Sequence, residues 1–128
     1  MTKWHPESPP RGFLVQEFET RCVRAQEMMA KAGHAALLVM TEPEVRYFTG
    51  FLTPFWQSPT RPWFVVLPAS GKPIAVIPAI GAPVMARTWV DDIRTWRAPD
   101  LRDDGGTLLT DTLREVAGGG PEIGSAHV

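Results

Sequence analysis

The feature that most constrains the fold is an apolar run, residues 35–40, followed at once by the signals that start and end a short helix. Thr41 and Glu44 have the spacing of a capping box, which predicts a helix that begins at Glu42. Gly50 can adopt the positive φ that ends such a helix and turns the chain back. The residues therefore predict a strand, a short helix and a sharp turn.

Hydrophobic periodicity predicts the rest of one α/β domain over residues 13–128, after an extended lead-in over residues 1–12. Two apolar runs joined by a short turn indicate an antiparallel hairpin. Helices near both ends and strands between them imply a mixed sheet with helices packed on it. Inner strands under helices are apolar on both faces, so nearly complete burial is expected for nine core side chains. These are Phe18, Met29, Leu37, Leu38, Val39, Val65, Val66, Ala75 and Val76. The other predicted helices cover residues 13–31, 80–87 and 107–117, and the predicted strands cover residues 35–40, 63–67, 74–77 and 93–96.

Length and charge exclude several classes of protein. A chain of 128 residues can bury a proper core, and a net charge of −1 provides no basic field for nucleic acid. No apolar run reaches the roughly 18–20 residues that a membrane-spanning helix needs. The first residues lack a signal-peptide core, so a cytoplasmic location is expected.

The residues that carry chemistry show no self-contained active site. Cys22 lies on the apolar face of the first predicted helix, where a small buried hydrophobe is expected rather than a nucleophile. The adjacent acids Asp103 and Asp104 are better interpreted as caps of the last helix than as a pair of catalytic carboxylates. The histidines have no partners at metal-ligand spacing, so no metal site is expected. They are His5, His34 and His127.

Residues 41–51 closely resemble the pattern N-V-x-Y-L-T-G-F, the signature of the N-terminal domain of the creatinase/prolidase/aminopeptidase P family. Glu44 stands where Asn is usual, and Phe48 replaces Leu. Family patterns in the same order and spacing extend the resemblance to residues 18–39 and 61–78. The matching signature residues are Val45, Tyr47, Thr49, Gly50 and Phe51.

The resemblance implies a single three-layer α/β domain, with a mixed sheet flanked by helices and a ribonuclease H-like motif. In that family the domain precedes a catalytic pita-bread domain, whose two Asp, one His and two Glu hold two divalent metal ions. No such segment follows here, so we expect an excised domain or a protein without its catalytic half. The implied parent hydrolyses Xaa-Pro dipeptides or a small amide such as creatine or an ectoine-type compound.

Residues 52–63 combine aromatic side chains, one arginine and three prolines, a composition typical of an interface anchor. The alternative is that Phe55 and Trp56 fold back over the sheet edge. In the resembling family this stretch of one subunit reaches the catalytic pocket of its neighbour. The resemblance therefore implies that Phe55, Trp56 and Arg61 bind substrate across the interface of a homo-oligomer, expected to be a dimer.

Two functions from different classes remain open. The chain is either the non-catalytic N-terminal domain of a dimetal hydrolase, with that catalytic domain as its second partner, or a stand-alone binding or assembly module. Residues 122–128 read as a strand that breaks off without a cap or polar tail, which favours the first function.

Overall fold

The computed structural model describes residues 10–51, 62–97, 100, 102–118 and 123–125, with side chains for all of these except residues 10–14 and 123–125. None of the helices in these ranges combines the length and the hydropathy that crossing a bilayer requires. The helices are α1 (Pro10–Ala32), α2 (Glu42–Thr49), α3 (Ala82–Met85) and α4 (Gly106–Ala117). The strands are β1 (Ala36–Val39), β2 (Phe64–Pro68), β3 (Ile74–Pro78), β4 (Asp92–Trp96) and β5 (Ile123–Ser125).

The strands form one mixed sheet in the order β4-β3-β2-β1-β5. Strands β2 and β3 pair antiparallel through a short turn, as the sequence predicts, with Val65 opposite Ala75. Strand β1 pairs antiparallel with β2, while β3–β4 and β1–β5 are parallel. The antiparallel centre of the sheet therefore places residues distant in sequence, such as Leu37 and Leu67, opposite each other.

Helices cover both faces of the sheet, which confirms the three-layer α/β fold. Alternate side chains of a strand point to opposite faces, so β2 contributes to two separate apolar clusters. On one face Val65 and Leu67 pack with side chains from α1, α2 and α3, among them Met29, Phe48 and Met85. On the other face Val66 and Val76 pack against Leu108, Leu109, Leu113 and Val116 of α4.

The apolar strands are less uniformly buried than their composition predicts. Val39, Val65, Val66, Ala75, Val76 and Met29 are buried, as expected. The expectation of near-complete burial is wrong for Phe18, Leu37 and Leu38, which are only partly buried. Strand β1 has the three-residue β5 as its outer neighbour, and Leu38 packs with the cluster on the α4 face of the sheet. Phe18 stacks on Trp89 rather than entering the core.

The ends of two helices show how local signals operate in the folded chain. Helix α2 begins at Glu42, as predicted, but Thr41 makes no side-chain cap hydrogen bond, so the predicted capping box does not form. The hydroxyl of Thr41 donates to Oε1 of Glu44 at 2.7 Å and accepts no backbone amide. The predicted helix over residues 80–87 is wrong in extent: a 3₁₀ turn at Ala79–Gly81 precedes α3, which ends at Met85. Thr88 closes this end, because its amide and hydroxyl both donate to the Met85 carbonyl, at 2.9 Å and 2.7 Å.

The carboxylates of Asp103 and Glu115 stabilise α4. The N-cap position is Gly105 rather than Asp103 or Asp104, but Asp103 accepts a hydrogen bond from the backbone amide of Thr107 in the first turn at 3.1 Å, so the prediction holds in part and for Asp103 alone. Arg94 on β4 donates to both carboxylate oxygens of Glu115 at 2.8 Å and 2.9 Å, and this bidentate pair ties the edge strand to α4. The hydrogen bond from Thr107 lowers the pKa of Asp103, and the hydrogen bonds from Arg94 lower the pKa of Glu115.

We expect the free energy of unfolding to fall as the pH drops below about 4. A carboxyl group whose pKa is lower in the folded state stabilises the fold fully above its ordinary pKa, here 3.8 for Asp103 and 4.5 for Glu115. That contribution disappears as the pH falls through the lowered values. Urea unfolding between pH 7 and pH 3 measures it. The double variant Asp103→Asn/Glu115→Gln should show a flatter dependence, and an unchanged slope would rule these two groups out as its source.

Candidate functional site

The five signature residues lie at the corner where α2 ends, and most of them serve the fold. Val45 and Phe51 are buried in the core, and Thr49 is buried beside them. Tyr47 is the exception, since 42% of its surface is exposed and its ring meets Phe48 edge-on at 5.0 Å. The signature residues therefore stabilise the turn after α2 and leave one aromatic side chain, that of Tyr47, exposed.

Thr49 and Gly50 make the turn. The hydroxyl of Thr49 donates to the Val45 carbonyl at 2.6 Å and accepts the amide of Phe51 at 2.9 Å. Gly50 has φ +81°, as predicted, and its amide donates to the Arg46 carbonyl at 2.8 Å. This left-handed conformation favours glycine because it brings a Cβ atom close to the following carbonyl.

Two carbonyls in the last turn of α2 receive donors from distant parts of the chain. A helix leaves its last four carbonyl groups without intrahelical partners, and in α2, which ends at Thr49, these belong to residues 46–49. Nη1 of Arg21, on α1, donates to the Tyr47 carbonyl at 2.8 Å. Nε1 of Trp89, just before β4, donates to the Phe48 carbonyl at 2.9 Å. With the Gly50 amide, which donates to the Arg46 carbonyl, these side chains provide donors for three of the four carbonyls.

Arg21 and Trp89 are themselves held by aromatic contacts. The guanidinium carbon of Arg21 lies 4.6 Å from the ring centre of Tyr47 and 5.1 Å from that of Phe18. Its Nη2 donates to Glu17 at 2.9 Å. Phe18 stacks on Trp89 with 6.3 Å between ring centres. Four side chains therefore form one continuous row, Tyr47–Arg21–Phe18–Trp89, which we call the aromatic row.

A second contact brings together the two ends of the segment singled out by the sequence. The rings of Phe51 and Trp63, both buried, lie 5.4 Å apart. Gly81 lies under the indole of Trp63, and a Cβ atom there would collide with the ring. We call the contact between the two rings the Phe51–Trp63 clamp. It holds together the two residues that flank residues 52–62. Phe55, Trp56 and Arg61, the predicted substrate-binding residues, lie outside the described residues.

The other candidate side chains offer no catalytic group in the described ranges. Cys22 is buried, and burial, aided by the nearby charge of Glu19, raises the pKa of its thiol to about 12. The thiolate that nucleophilic chemistry requires is therefore disfavoured at neutral pH. Across these same ranges, which contain His34 but neither His5 nor His127, no three His, Cys, Asp or Glu side chains converge to hold a metal ion.

Sequence reasoning missed the functions of Arg21 and Trp89. Arg21 belongs to the helix pattern that resembles the family, yet its target is a carbonyl 26 residues away. Trp89 lies 41 residues from its acceptor and carries no local signal. Only the packing of α1 on α2 brings Arg21 to the Tyr47 carbonyl.

A protein-family model and several solved structures match this chain. A family model described as the creatinase/prolidase N-terminal domain matches residues 21–124. No curated protein matches the sequence. The fold is similar to that of a proline dipeptidase from Streptococcus pneumoniae, with a TM-score of 0.66 and 12% identity over 82% of this chain and 72% of that chain.

Two further solved structures share this fold. For the N-terminal domain of Xaa-Pro dipeptidase from Lactobacillus brevis the TM-score is 0.68, with 14% identity over 82% of this chain and 75% of that chain. For the dipeptidase PepE from Mycobacterium ulcerans the TM-score is 0.56, with 22% identity over 84% of this chain. This chain spans only 34% of the Mycobacterium protein. At these identities the likeness to solved structures is one of fold.

Proposed function

Because the chain belongs to the creatinase/prolidase N-terminal domain family, we propose that it is the non-catalytic N-terminal domain of a metal-dependent hydrolase that resembles Xaa-Pro dipeptidases. Three structures of similar fold are described as proline dipeptidase, Xaa-Pro dipeptidase and dipeptidase, which supports a substrate of this class. The domain contributes an oligomerisation surface and a substrate-contacting segment to the active site of a neighbouring subunit. Two divalent metal ions of the hydrolase are bound by residues that do not belong to this chain.

The observation that carries this proposal is the Phe51–Trp63 clamp. Two buried rings in contact hold both ends of the intervening segment on the domain, and the buried corner of α2 fixes the first end. A segment held in this way can present Phe55, Trp56 and Arg61 without taking part in the core. Arg61 is the residue suited to a substrate carboxylate, because a guanidinium can donate two parallel hydrogen bonds.

We expect Arg61→Ala in the natural protein that carries this chain to raise KM for a Pro-containing dipeptide or to lower kcat. A charged hydrogen bond contributes roughly 1.5–3 kcal/mol, which corresponds to a loss of about 10- to 150-fold in kcat/KM. The melting temperature should stay nearly unchanged. Steady-state kinetics and thermal melts on the same preparations measure both effects. Arg97→Ala, which removes an exposed arginine after β4, serves as the matched control.

Three outcomes would contradict the proposal. Unfolding of the Arg61→Ala variant would show that Arg61 is a structural ion-pair partner. Unchanged kinetics and stability would show that residues 52–62 are ordinary surface. A natural protein that hydrolyses no dipeptide with added divalent metal, yet self-associates or binds a partner, would be a stand-alone binding or assembly module.

A further inference from the structure

We infer that Arg21 and Trp89 are positioning residues that hold the direction in which the chain leaves α2 at Phe51. This inference rests on the proposed function only in that the chain leaving at Phe51 is the proposed substrate-contacting segment. Its structural basis is independent: two side chains from other parts of the fold donate to two carbonyls in the last turn of the helix, at 2.8 Å and 2.9 Å.

The local bonds of the corner leave its orientation incompletely determined. Thr49 and Gly50 donate to the Val45 and Arg46 carbonyls within the same turn, so these bonds move with the helix end. The bonds to Tyr47 and Phe48 instead connect the helix end to α1 and to the chain before β4. Such external bonds oppose the fraying to which helix ends are prone.

Arg21 has the chemistry that this position requires. Its planar guanidinium fits between the rings of Tyr47 and Phe18 while one nitrogen donates to the Tyr47 carbonyl and another to Glu17. A positive charge at the C-terminal end of a helix also interacts favourably with the helix dipole. A lysine could supply the charge but not the planar stacking or the forked donors. Arg21→Lys should therefore restore only part of the loss caused by Arg21→Ala.

Arg21, Trp89 and Gly50 all lie close to the ring of Phe18. Its ring contacts Arg21 and Trp89, and a Cβ atom placed on Gly50 would lie 2.9 Å from its Cζ. Because one ring supports both donors, a change at either is transmitted to the same corner. The effects of Arg21→Ala and Trp89→Phe should therefore be non-additive.

Amide hydrogen exchange on the 128-residue chain tests the inference. The amides of Gly50 and Phe51 report on the corner, because they bond to the Arg46 carbonyl and the Thr49 hydroxyl. Trp89→Phe retains a ring for stacking on Phe18 but lacks the donor. We expect protection of both amides to fall about 3- to 10-fold in Trp89→Phe and at least about tenfold in Arg21→Ala. Amides of β2 and β3 should change less than about twofold.

The controls separate positioning from general stability. Arg24→Ala removes an exposed arginine from the same helix and should leave Gly50 and Phe51 protected. An equal loss of protection at the corner and in β2 and β3 would show that Arg21 and Trp89 only stabilise the whole fold, and would overturn the inference. Unchanged protection at the corner would overturn it too. None of these results depends on hydrolase activity, so they stand even if the proposed function fails.

A kinetic readout links the corner to the segment. If Arg61→Ala changes KM or kcat of the natural protein, Trp89→Phe should change the same constant. Its melting temperature should stay nearly unchanged. A local loss of protection with unchanged kinetics would show that the corner does not orient the segment.

Discussion

Leu67→Ala is expected to lower the free energy of unfolding by about 2–5 kcal/mol, the range for truncating a fully buried leucine. Leu67 lies on β2, in the middle of the sheet, and has no exposed surface. It packs in the cluster formed with α1, α2 and α3. Removing its side chain leaves a cavity between the sheet and three helices, which cannot all close on it at once. Urea unfolding followed by tryptophan fluorescence and circular dichroism measures the loss.

Leu38→Ala is the matched control for Leu67→Ala. Leu38 is also a strand leucine, but it is only partly buried and packs with the cluster on the α4 face. The same chemical change should therefore cost clearly less at residue 38. Equal losses at the two positions would mean that the extent of burial does not govern the energetics of this sheet.

Gly50→Ala should destabilise the chain by about 2–5 kcal/mol, because two costs add at this position. An L residue held at positive φ costs roughly 1–2 kcal/mol. The new Cβ atom would also lie 2.9 Å from Cζ of Phe18, so the ring must move, and overpacking typically costs about 1–3 kcal/mol. Thermal and urea unfolding would report the sum.

Gly33→Ala separates the two costs. Gly33 follows α1 with φ +78°, close to the +81° of Gly50, but a Cβ atom there meets nothing within 4 Å. Its replacement should therefore show the backbone cost alone. If Gly33→Ala and Gly50→Ala destabilise equally, the Phe18 ring yields without cost. If Phe18→Leu relieves part of the Gly50→Ala loss, the steric contact is the cause.

The sequence predicted helix ends best where a single residue, such as a glycine, determines where the helix stops. Helix α2 ends at Thr49, directly before Gly50, as the glycine signal predicts, and α4 ends at Ala117, the predicted last residue, before Gly118 with φ +58°. The antiparallel hairpin was predictable because the turn that joins its strands is short. These features depend on neighbours within a few residues, so they can be read along the chain.

Burial and long-range hydrogen bonds could not be predicted in the same way. Leu37 and Leu38 belong to an apolar run, but their exposure depends on what covers each face of β1. The bonds from Arg21 and Trp89 join residues 26 and 41 positions apart, and no periodic pattern connects them. Such contacts arise only when helices and strands pack.

The sequence predicted the corner that precedes the proposed substrate-contacting segment. The run 41–51 indicated a corner followed by an unusual segment, and the structure confirms the corner. The signature residues Val45, Thr49 and Phe51 are buried at that corner, where each contributes to packing or hydrogen bonding. The assignments of Phe55, Trp56 and Arg61 rest on composition and family resemblance, and they stay predictions.

The Phe51–Trp63 clamp has an evolutionary consequence for the eleven residues between its two rings. Closing a flexible loop costs conformational entropy that grows only with the logarithm of its length, so doubling the number of residues adds about 0.6 kcal/mol. That increment is small beside the loss expected from one buried leucine in the sheet. Insertions and deletions between the two rings can therefore accumulate while the domain keeps its fold. If residues 52–62 contact substrate as proposed, new specificities can arise in this interval by changes in length as well as by point substitution.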